Sequence, residues 1–304
     1  MNARDLRFAV CTLGVLVSCG ATAGATSERE HVTEARREFA SMHWRGGSQT
    51  LAASHGTFAV PAGGSMVVGT EAERADELIN GTTSSDTEGF ARIDHRVLYL
   101  SYSDVGYVSA DDWKDVDASE LLKNMSQATE DANEERVKNG VSAMHTDGWV
   151  QAPVYDANRK SVRWVVGLHD SETKFVNAVA LQLGRNGYER FTLVSDGSNP
   201  QADAAILANA VRAYQFKKGF RFSDYVQGDK LAGFGIAALV GTAAGATIAK
   251  TVGFGAVLLL IKKFFILILA AGAGAWGYVK RFFAGNKMQV GPPKALPDAA
   301  SPPG

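Results

Sequence analysis

The chain has 304 residues, with 31 lysines and arginines against 32 aspartates and glutamates, and 46% of its residues are hydrophobic. These balanced values exclude a polybasic nucleic-acid-binding protein, a disordered chain of low hydrophobicity and a small disulfide-rich secreted protein, because each of those classes requires a strong compositional bias. Apolar residues are concentrated at the two ends of the chain, so the ends and the middle predict different structures.

The N-terminus, residues 1–25, has the pattern of a secretory signal peptide. Arg4 and Arg7 form a basic start, residues 8–18 form an apolar run too short to span a bilayer, and small residues suitable for cleavage follow. The alternative is cleavage before Cys19, which completes a lipobox and would then carry a lipid. Both cysteines of the chain lie in this segment, so we expect no disulfide and no thiolate metal site in the mature protein.

A charged segment, residues 26–50, follows the signal pattern. Ser27 is a suitable N-cap and Glu30 stands three positions later, which is the arrangement of a capping box. The residues that follow are rich in charge and weakly amphipathic. We predict a charged helix and linker that lead into an exported domain.

The middle of the chain, residues 51–229, has the pattern of one exported α+β domain. Runs that alternate between apolar and polar residues predict strands at 57–60, 65–68, 96–102, 146–150, 161–168, 174–183, 188–195 and 214–216. Helical patterns predict helices over 71–78, over 119–138 and from Pro200 onward. Asn186-Gly187 is typical of a hairpin turn between two of the strands. This order predicts an antiparallel sheet covered by helices.

The segment 230–283 has the pattern of a membrane anchor of one or two spans. Residues 231–249 carry no charge, and a second apolar run covers residues 264–279. The adjacent Lys262 and Lys263 are better placed at a membrane boundary than inside one long span. Two arrangements remain open: a hairpin of two transmembrane helices, or a single final span with residues 231–261 lying against the membrane or the domain.

Small residues recur along the first apolar run. Gly241 and Gly245 form a small-xxx-small pattern, which lets two helices approach closely and would suit a homo-oligomer. The last segment, residues 284–304, is rich in proline and alanine, and we predict a disordered tail.

Catalytic and metal-binding patterns are weak in the middle of the chain. His145 near Asp147 and His169 beside Asp170 are candidate acid–base pairs, but such residues are more often polar turn residues. The sequence has no His-Glu-x-x-His, Gly-x-Ser-x-Gly or phosphate-loop motif. An acidic cluster that could hold Ca²⁺ lacks the usual calcium loop and is interpreted as the acidic start of a helix; it comprises Asp104, Asp111, Asp112, Asp115 and Asp117. We predict no catalytic residue, no metal site and no cofactor.

Four aromatic residues are the candidates for ligand binding: Tyr107, Trp113, Trp149 and Trp164. Aromatic side chains combine a large apolar face with a polar tip, so they suit a binding groove. The alternative is that they fill the core, which is the more common role of aromatic residues on alternating strands.

Several stretches together carry a family resemblance. They are residues 104–108 (DVGYV), 112–122 (DWKDVDASELL), 133–136 (NEER), 148–156 (GWVQAPVYD), Trp164, 177–187 and 218–224, together with the hydrophobic C-terminal end and its lysine pair. In this combination the chain resembles an uncharacterised bacterial family, domain of unknown function 2167, described as predicted membrane-anchored proteins. The resemblance implies a signal peptide, an exported domain and a C-terminal anchor, and it implies no activity.

A looser resemblance concerns the end of the domain. A hairpin at residues 184–187, a helix and a final short strand are similar to the closing unit of PsbP-like domains. That resemblance implies a fold and no function.

Two functions are compatible with the sequence. We favour a non-enzymatic envelope protein in the bacterial inner membrane, whose domain faces the periplasm or exterior and binds a protein, peptide or lipid, but no nucleic acid. The alternative is a membrane-bound hydrolase that acts on envelope material. Its candidate residues are Asn133, Glu134, Glu135 and Arg136.

Overall fold

The computed structural model describes residues 33–80, 86–94, 96–138 and 142–243. The predicted signal peptide, most of the predicted anchor and the predicted tail therefore lie outside the described residues. Within the described ranges, no helix is both long enough and apolar enough to cross a membrane.

In the part of the chain that the structure describes, ten strands form two antiparallel sheets. The strands are β1 (Ser48–Leu51), β2 (Gly56–Ala59), β3 (Ser65–Val68), β4 (Thr87–Ile93), β5 (Arg96–Ser103), β6 (His145–Asp156), β7 (Ser161–His169), β8 (Lys174–Leu183), β9 (Tyr188–Ser195) and β10 (Tyr214–Phe216). The large sheet has the order β3-β4-β5-β9-β8-β7-β6, and the small sheet has the order β1-β2-β10. The mixed α and β composition and the antiparallel pairing agree with the predicted fold class.

Six α-helices accompany the sheets in the described ranges: α1 (33–41), α2 (Thr70–Asn80), α3 (Ala118–Asp131), α4 (Asn133–Lys138), α5 (Pro200–Ala213) and α6 (Ile236–Ala243). Two short 3-10 helices in the same ranges lie at Trp113–Asp115 and Phe222–Asp224. The predicted single helix over 119–138 is wrong in one respect, because it breaks at Ala132 into α3 and α4. The break is fixed by Asn133, whose side chain bonds to the backbone nitrogen and oxygen of Met144 (2.8 and 2.9 Å).

Both faces of the large sheet are covered. On β8, Ala178 and Ala180 face the small sheet and α5, whereas Val179 and Leu181 face α3 and α6. Because side chains alternate along a strand, a strand covered on both sides is apolar at almost every position. The core therefore lies in two layers, one on each side of the large sheet.

Two strands lie outside the predicted set. β4 was not predicted, and β1 begins at Ser48, inside the segment assigned to the linker. β4 contains Gly89, where an added Cβ would overlap the Met66 side chain, so the strand packs closely against its neighbours. Glycine weakens the sequence pattern of a strand, which is why the pattern missed β4.

The chain after the domain returns to the core. Ile236, Leu239 and Val240 of α6 are buried with Leu121 and Trp164. The start of the first predicted span therefore packs on the domain. Gly241 is buried in α6, and Gly245 lies outside the described residues, so oligomerisation through this pair stays a prediction.

The approach to α6 depends on one glycine. Gly106 has φ +93, and a Cβ there would lie 2.6 Å from the backbone oxygen of Lys230. This close approach lets Tyr107 exchange backbone hydrogen bonds with Lys230 and Ala232 (2.8 and 2.9 Å). Only glycine combines that backbone conformation with the necessary space.

The edge strand β6 is irregular. Its pairing with β7 shifts register at three places, between Thr146 and Gly148, between Trp149 and Gln151, and between Gln151 and Val154. Such shifts bend and twist a strand locally.

Candidate functional site

The four predicted binding residues separate into two pairs. Trp164 is 1% exposed and lies in the core between the large sheet and α6. Trp149 is half-buried, and its indole nitrogen donates a hydrogen bond to the carbonyl oxygen of Ala118 (3.0 Å). Trp164 is therefore a core residue, and the hydrogen bond of Trp149 connects β6 to the start of α3.

Tyr107 and Trp113 lie at the surface, next to three other aromatic rings. We call this group the aromatic surface: Tyr107, Trp113, Tyr155, Phe222 and Tyr225. All five side chains are half-buried. Tyr107 stacks on Tyr225 with ring centroids 4.2 Å apart and lies 4.5 Å from the ring of Phe222. Trp113 lies 5.4 Å from Tyr155.

The pair formed by Trp113 and Tyr155 adjoins the group formed by Tyr107, Phe222 and Tyr225. Burial raises the pKa of Tyr155, and nearby Tyr107 and Asp111 raise it further. Burial also raises the pKa of Tyr107, with additional contributions from Asp111 and Tyr225. These hydroxyls therefore stay protonated at neutral pH, when they can both donate and accept hydrogen bonds.

A braced loop presents Phe222 and Tyr225. Arg185 donates two hydrogen bonds of 2.7 Å to the carboxylate of Asp229, which holds the end of the loop. The carboxylate of Asp224 accepts from the backbone nitrogens of Gly219 (2.7 Å) and Arg221 (3.1 Å). The hydrogen bond from Gly219 is the main reason that the pKa of Asp224 is lowered. The rings are thus held in place before any partner binds.

The surroundings of the aromatic surface are mixed in charge and partly apolar. The ammonium of Lys160 lies 5.5 Å from the centre of the Phe222 ring, while Asp111 lies near Tyr107. Leu231, which pairs with Tyr107 through an isolated β-bridge, is 61% exposed. Such a surface can stack against planar or apolar groups and can bind cationic groups over its ring faces.

A pair of glutamates, Glu88 and Glu189, is buried between the two sheets. The carboxyl of Glu189 is fully buried, and its neighbours are Glu88, Ser54 and Tyr214. Glu88 accepts hydrogen bonds from the backbone nitrogens of Ala53 and Ser54 (2.8 and 3.1 Å). Burial is the main cause that raises the pKa of Glu189 well above its usual range, and Glu88 adds to it. Glu88 and Glu189 both belong to the large sheet, and Tyr214 of β10 brings the small sheet into contact with Glu189.

A buried ion pair joins α5 to the large sheet. The guanidinium of Arg96 donates to the buried carboxylate of Asp203, which also accepts from the hydroxyl of Ser195 (2.5 Å). All three side chains are buried, so this ion pair is part of the core.

The hydrolase candidates have separate contacts. Asn133 holds the backbone of Met144, and exposed Glu134 pairs with Lys138 (2.6 Å). Arg136 is buried, which lowers its pKa to about 10. The side chain of Glu135 lies outside the described residues.

The acidic cluster is divided among local roles. Asp117 caps α3 by accepting hydrogen bonds from the backbone nitrogens of Ser119 and Glu120 (2.8 and 3.1 Å). This acidic residue therefore lies at the start of a helix, where the sequence predicts it. Asp111 accepts from the hydroxyl of Ser109 (2.8 Å). In the described ranges, no three histidine, cysteine, aspartate or glutamate side chains are grouped so that they could hold one metal ion.

A family model described as a protein of unknown function (DUF2167) matches residues 43–273, which is more than half of the chain. The chain belongs to this family. No curated protein matches the chain.

The solved structures that are similar to the chain include two of low sequence identity. PsbP from the cyanobacterium Synechocystis sp. PCC 6803 has 10% identity and a TM-score of 0.36, covering 66% of this chain and 98% of that protein. The Ran-binding protein Mog1p from Saccharomyces cerevisiae has 12% identity and a TM-score of 0.28, covering 61% of this chain and 100% of that protein.

Proposed function

We propose that this member of the family is a non-enzymatic protein anchored in the bacterial inner membrane, and that its domain binds a partner through the aromatic surface. The apolar ends of the sequence support export and anchoring, with the domain on the periplasmic or exterior side. The observation that carries the binding proposal is the packing of five half-buried rings from separate parts of the chain on one surface. Aromatic anchors of this kind dominate the energetics of binding surfaces.

The position of the aromatic surface favours a partner in or at the same membrane. Tyr107 contacts the backbone directly before α6, and the predicted anchor continues from α6. Exposed Leu231 and Val226 lie in that connecting segment. Tyrosine and tryptophan also suit the boundary between lipid and water, where one end of the ring is apolar and the other is hydrated. A membrane protein, a peptide emerging at the membrane or a lipid fits this surface.

The hydrolase alternative receives no support from the candidates whose side chains are described. Asn133, Glu134 and Arg136 contact different partners and do not form one constellation. Acid–base catalysis requires groups that meet at the reacting bond.

The experiment is photo-crosslinking in intact membranes, with a benzophenone amino acid at Tyr225 of the full chain. We expect a discrete adduct with a protein or a lipid, and we expect Tyr107→Ala in the same chain to reduce it, because Tyr107 supports the ring at that position. The matched control places the same amino acid at Val137, which is 62% exposed on α4. The same adducts at both positions, or none at Tyr225, would overturn the proposal.

A further inference from the structure

Two histidines face each other on the large sheet. His145 begins β6 and His169 ends β7, and the two residues are directly opposite in the antiparallel register. Their ring centroids are 5.2 Å apart, with 36° between the ring planes. Opposed residues of neighbouring strands lie close enough for their side chains to act together.

Each imidazole has a carboxylate at the same ring nitrogen. Nδ1 of His145 lies 2.7 Å from Oε1 of Glu130, and Nδ1 of His169 lies 2.6 Å from Oδ1 of Asp147. A carboxylate accepts the proton that Nδ1 donates, which leaves the lone pair of the neutral ring on Nε2. This carboxylate–histidine arrangement is the one that orients histidine ligands around metal ions.

The carboxylate of Glu130 is itself held in place. Its second oxygen accepts a hydrogen bond of 2.9 Å from the amide of Asn133. Asn133 also bonds to the backbone of Met144, the residue directly before His145. The turn between α3 and α4 therefore fixes both the histidine and the group that orients it.

The spacing and the charge of the four side chains suit a divalent ion. Two imidazoles on one tetrahedral zinc, with Zn–N bonds of about 2.0–2.1 Å, place their ring centroids about 5 Å apart. The observed separation of 5.2 Å agrees with this value. The carboxylates of Glu130 and Asp147 place two negative charges beside the rings, and Lys174, opposite His169 in the register of β7 against β8, adds one positive charge.

We propose that His145 and His169 bind one divalent transition-metal ion through Nε2, with the remaining coordination positions open to water or to an additional ligand. Imidazole ligands favour Zn²⁺ and Cu²⁺ over Mg²⁺ and Ca²⁺, which prefer oxygen ligands. Both rings are partly exposed, so an ion reaches them from solvent. The site is independent of the aromatic surface.

The test is a titration of the full-length protein in detergent with Zn²⁺, using a chromophoric chelator as the competitor. We expect one zinc per chain, and we expect His145→Gln and His169→Gln each to abolish this binding. Glu130→Gln should weaken zinc binding by about 10–100-fold, because it removes the group that orients His145. Mg²⁺ should not compete.

The matched control is His43→Gln. His43 also has a carboxylate at Nδ1, Glu71 at 2.7 Å, and its side chain is 76% exposed, but no second histidine faces it in the described residues. Zinc binding should be unchanged in this variant. A loss equal to that of His145→Gln would overturn the proposal, as would unchanged binding in His169→Gln. The amide NMR spectrum of the same samples separates loss of the site from loss of the fold, and zinc-dependent shifts should be centred on β6 and β7.

Discussion

Leu239 tests whether the start of the first predicted span belongs to the domain. Its side chain is 2% exposed and lies among Val108, Leu121, Val162 and Trp164. Replacing a buried leucine by alanine removes apolar contacts and leaves a cavity, and it costs about 3–5 kcal/mol. A typical domain has a total stability of about 5–15 kcal/mol, so Leu239→Ala removes a large part of it.

The assay is urea unfolding of the full chain in detergent, followed by tryptophan fluorescence. With a urea dependence of about 2 kcal/mol per molar, the midpoint should fall by about 1.5–2.5 M in Leu239→Ala. The control is Leu231→Ala in the same apolar run, where the side chain is 61% exposed and the change should stay within about 0.5 kcal/mol. Equal effects of the two substitutions would refute the packing of α6 on the domain.

Two buried polar groups give further predictions. The pKa of Glu189 is raised by burial and by Glu88, so the folded state holds a proton that the unfolded state releases above about pH 4.3. The free energy of unfolding therefore falls as the pH rises from there toward the raised pKa. In urea unfolding, Glu189→Gln should stabilise the protein more at pH 8 than at pH 5. Parallel pH profiles of the variant and the unaltered protein would contradict this. Asp203→Leu leaves the guanidinium of Arg96 buried without its carboxylate and should cost about 3–5 kcal/mol, whereas adding Arg96→Met should recover most of the loss. Equal unfolding midpoints for the single and double variants would show that the charges are not coupled.

Strands β7, β8 and β9 were predictable because their sequence pattern is strong. Predicted strands at 161–168, 174–183 and 188–195 agree with β7, β8 and β9 to within one residue. Turn residues flank each apolar run. In the turn between β8 and β9, the backbone nitrogen of Gly184 donates a hydrogen bond of 2.8 Å to the carbonyl oxygen of Gly187. Local chemistry determines these elements, so one sequence is sufficient.

β4 was not predictable in the same way. Its Glu88 points into the protein, toward Glu189, and Gly89 follows it. A glutamate at an inward-facing position breaks the alternation of apolar and polar residues that predicts a strand. The partners that stabilise this buried carboxyl lie far along the chain, so the local sequence does not reveal them.

The candidate site was predictable only in part. Tyr107 and Trp113 were singled out, but Phe222 and Tyr225 join them from a loop more than a hundred residues later. Trp164 could not be separated from these residues, because a strand covered on both faces gives no pattern that distinguishes inside from outside.

The pairing of the histidines also required the structure. The sequence associated His145 with Asp147 and His169 with Asp170, which are neighbours along the chain. In the fold, Asp147 contacts His169, and Glu130 of α3 contacts His145. The register of β6 against β7 decides these contacts, and the register shifts in β6 are not visible in the sequence.

The irregular edge strand β6 has a consequence for the association of one copy of the protein with another. A regular edge offers a row of free backbone groups to which a strand of a neighbouring molecule can add. In β6, three register shifts and Pro153 interrupt that row. Two copies of this protein are thereby discouraged from joining edge to edge at β6 into a continuous sheet.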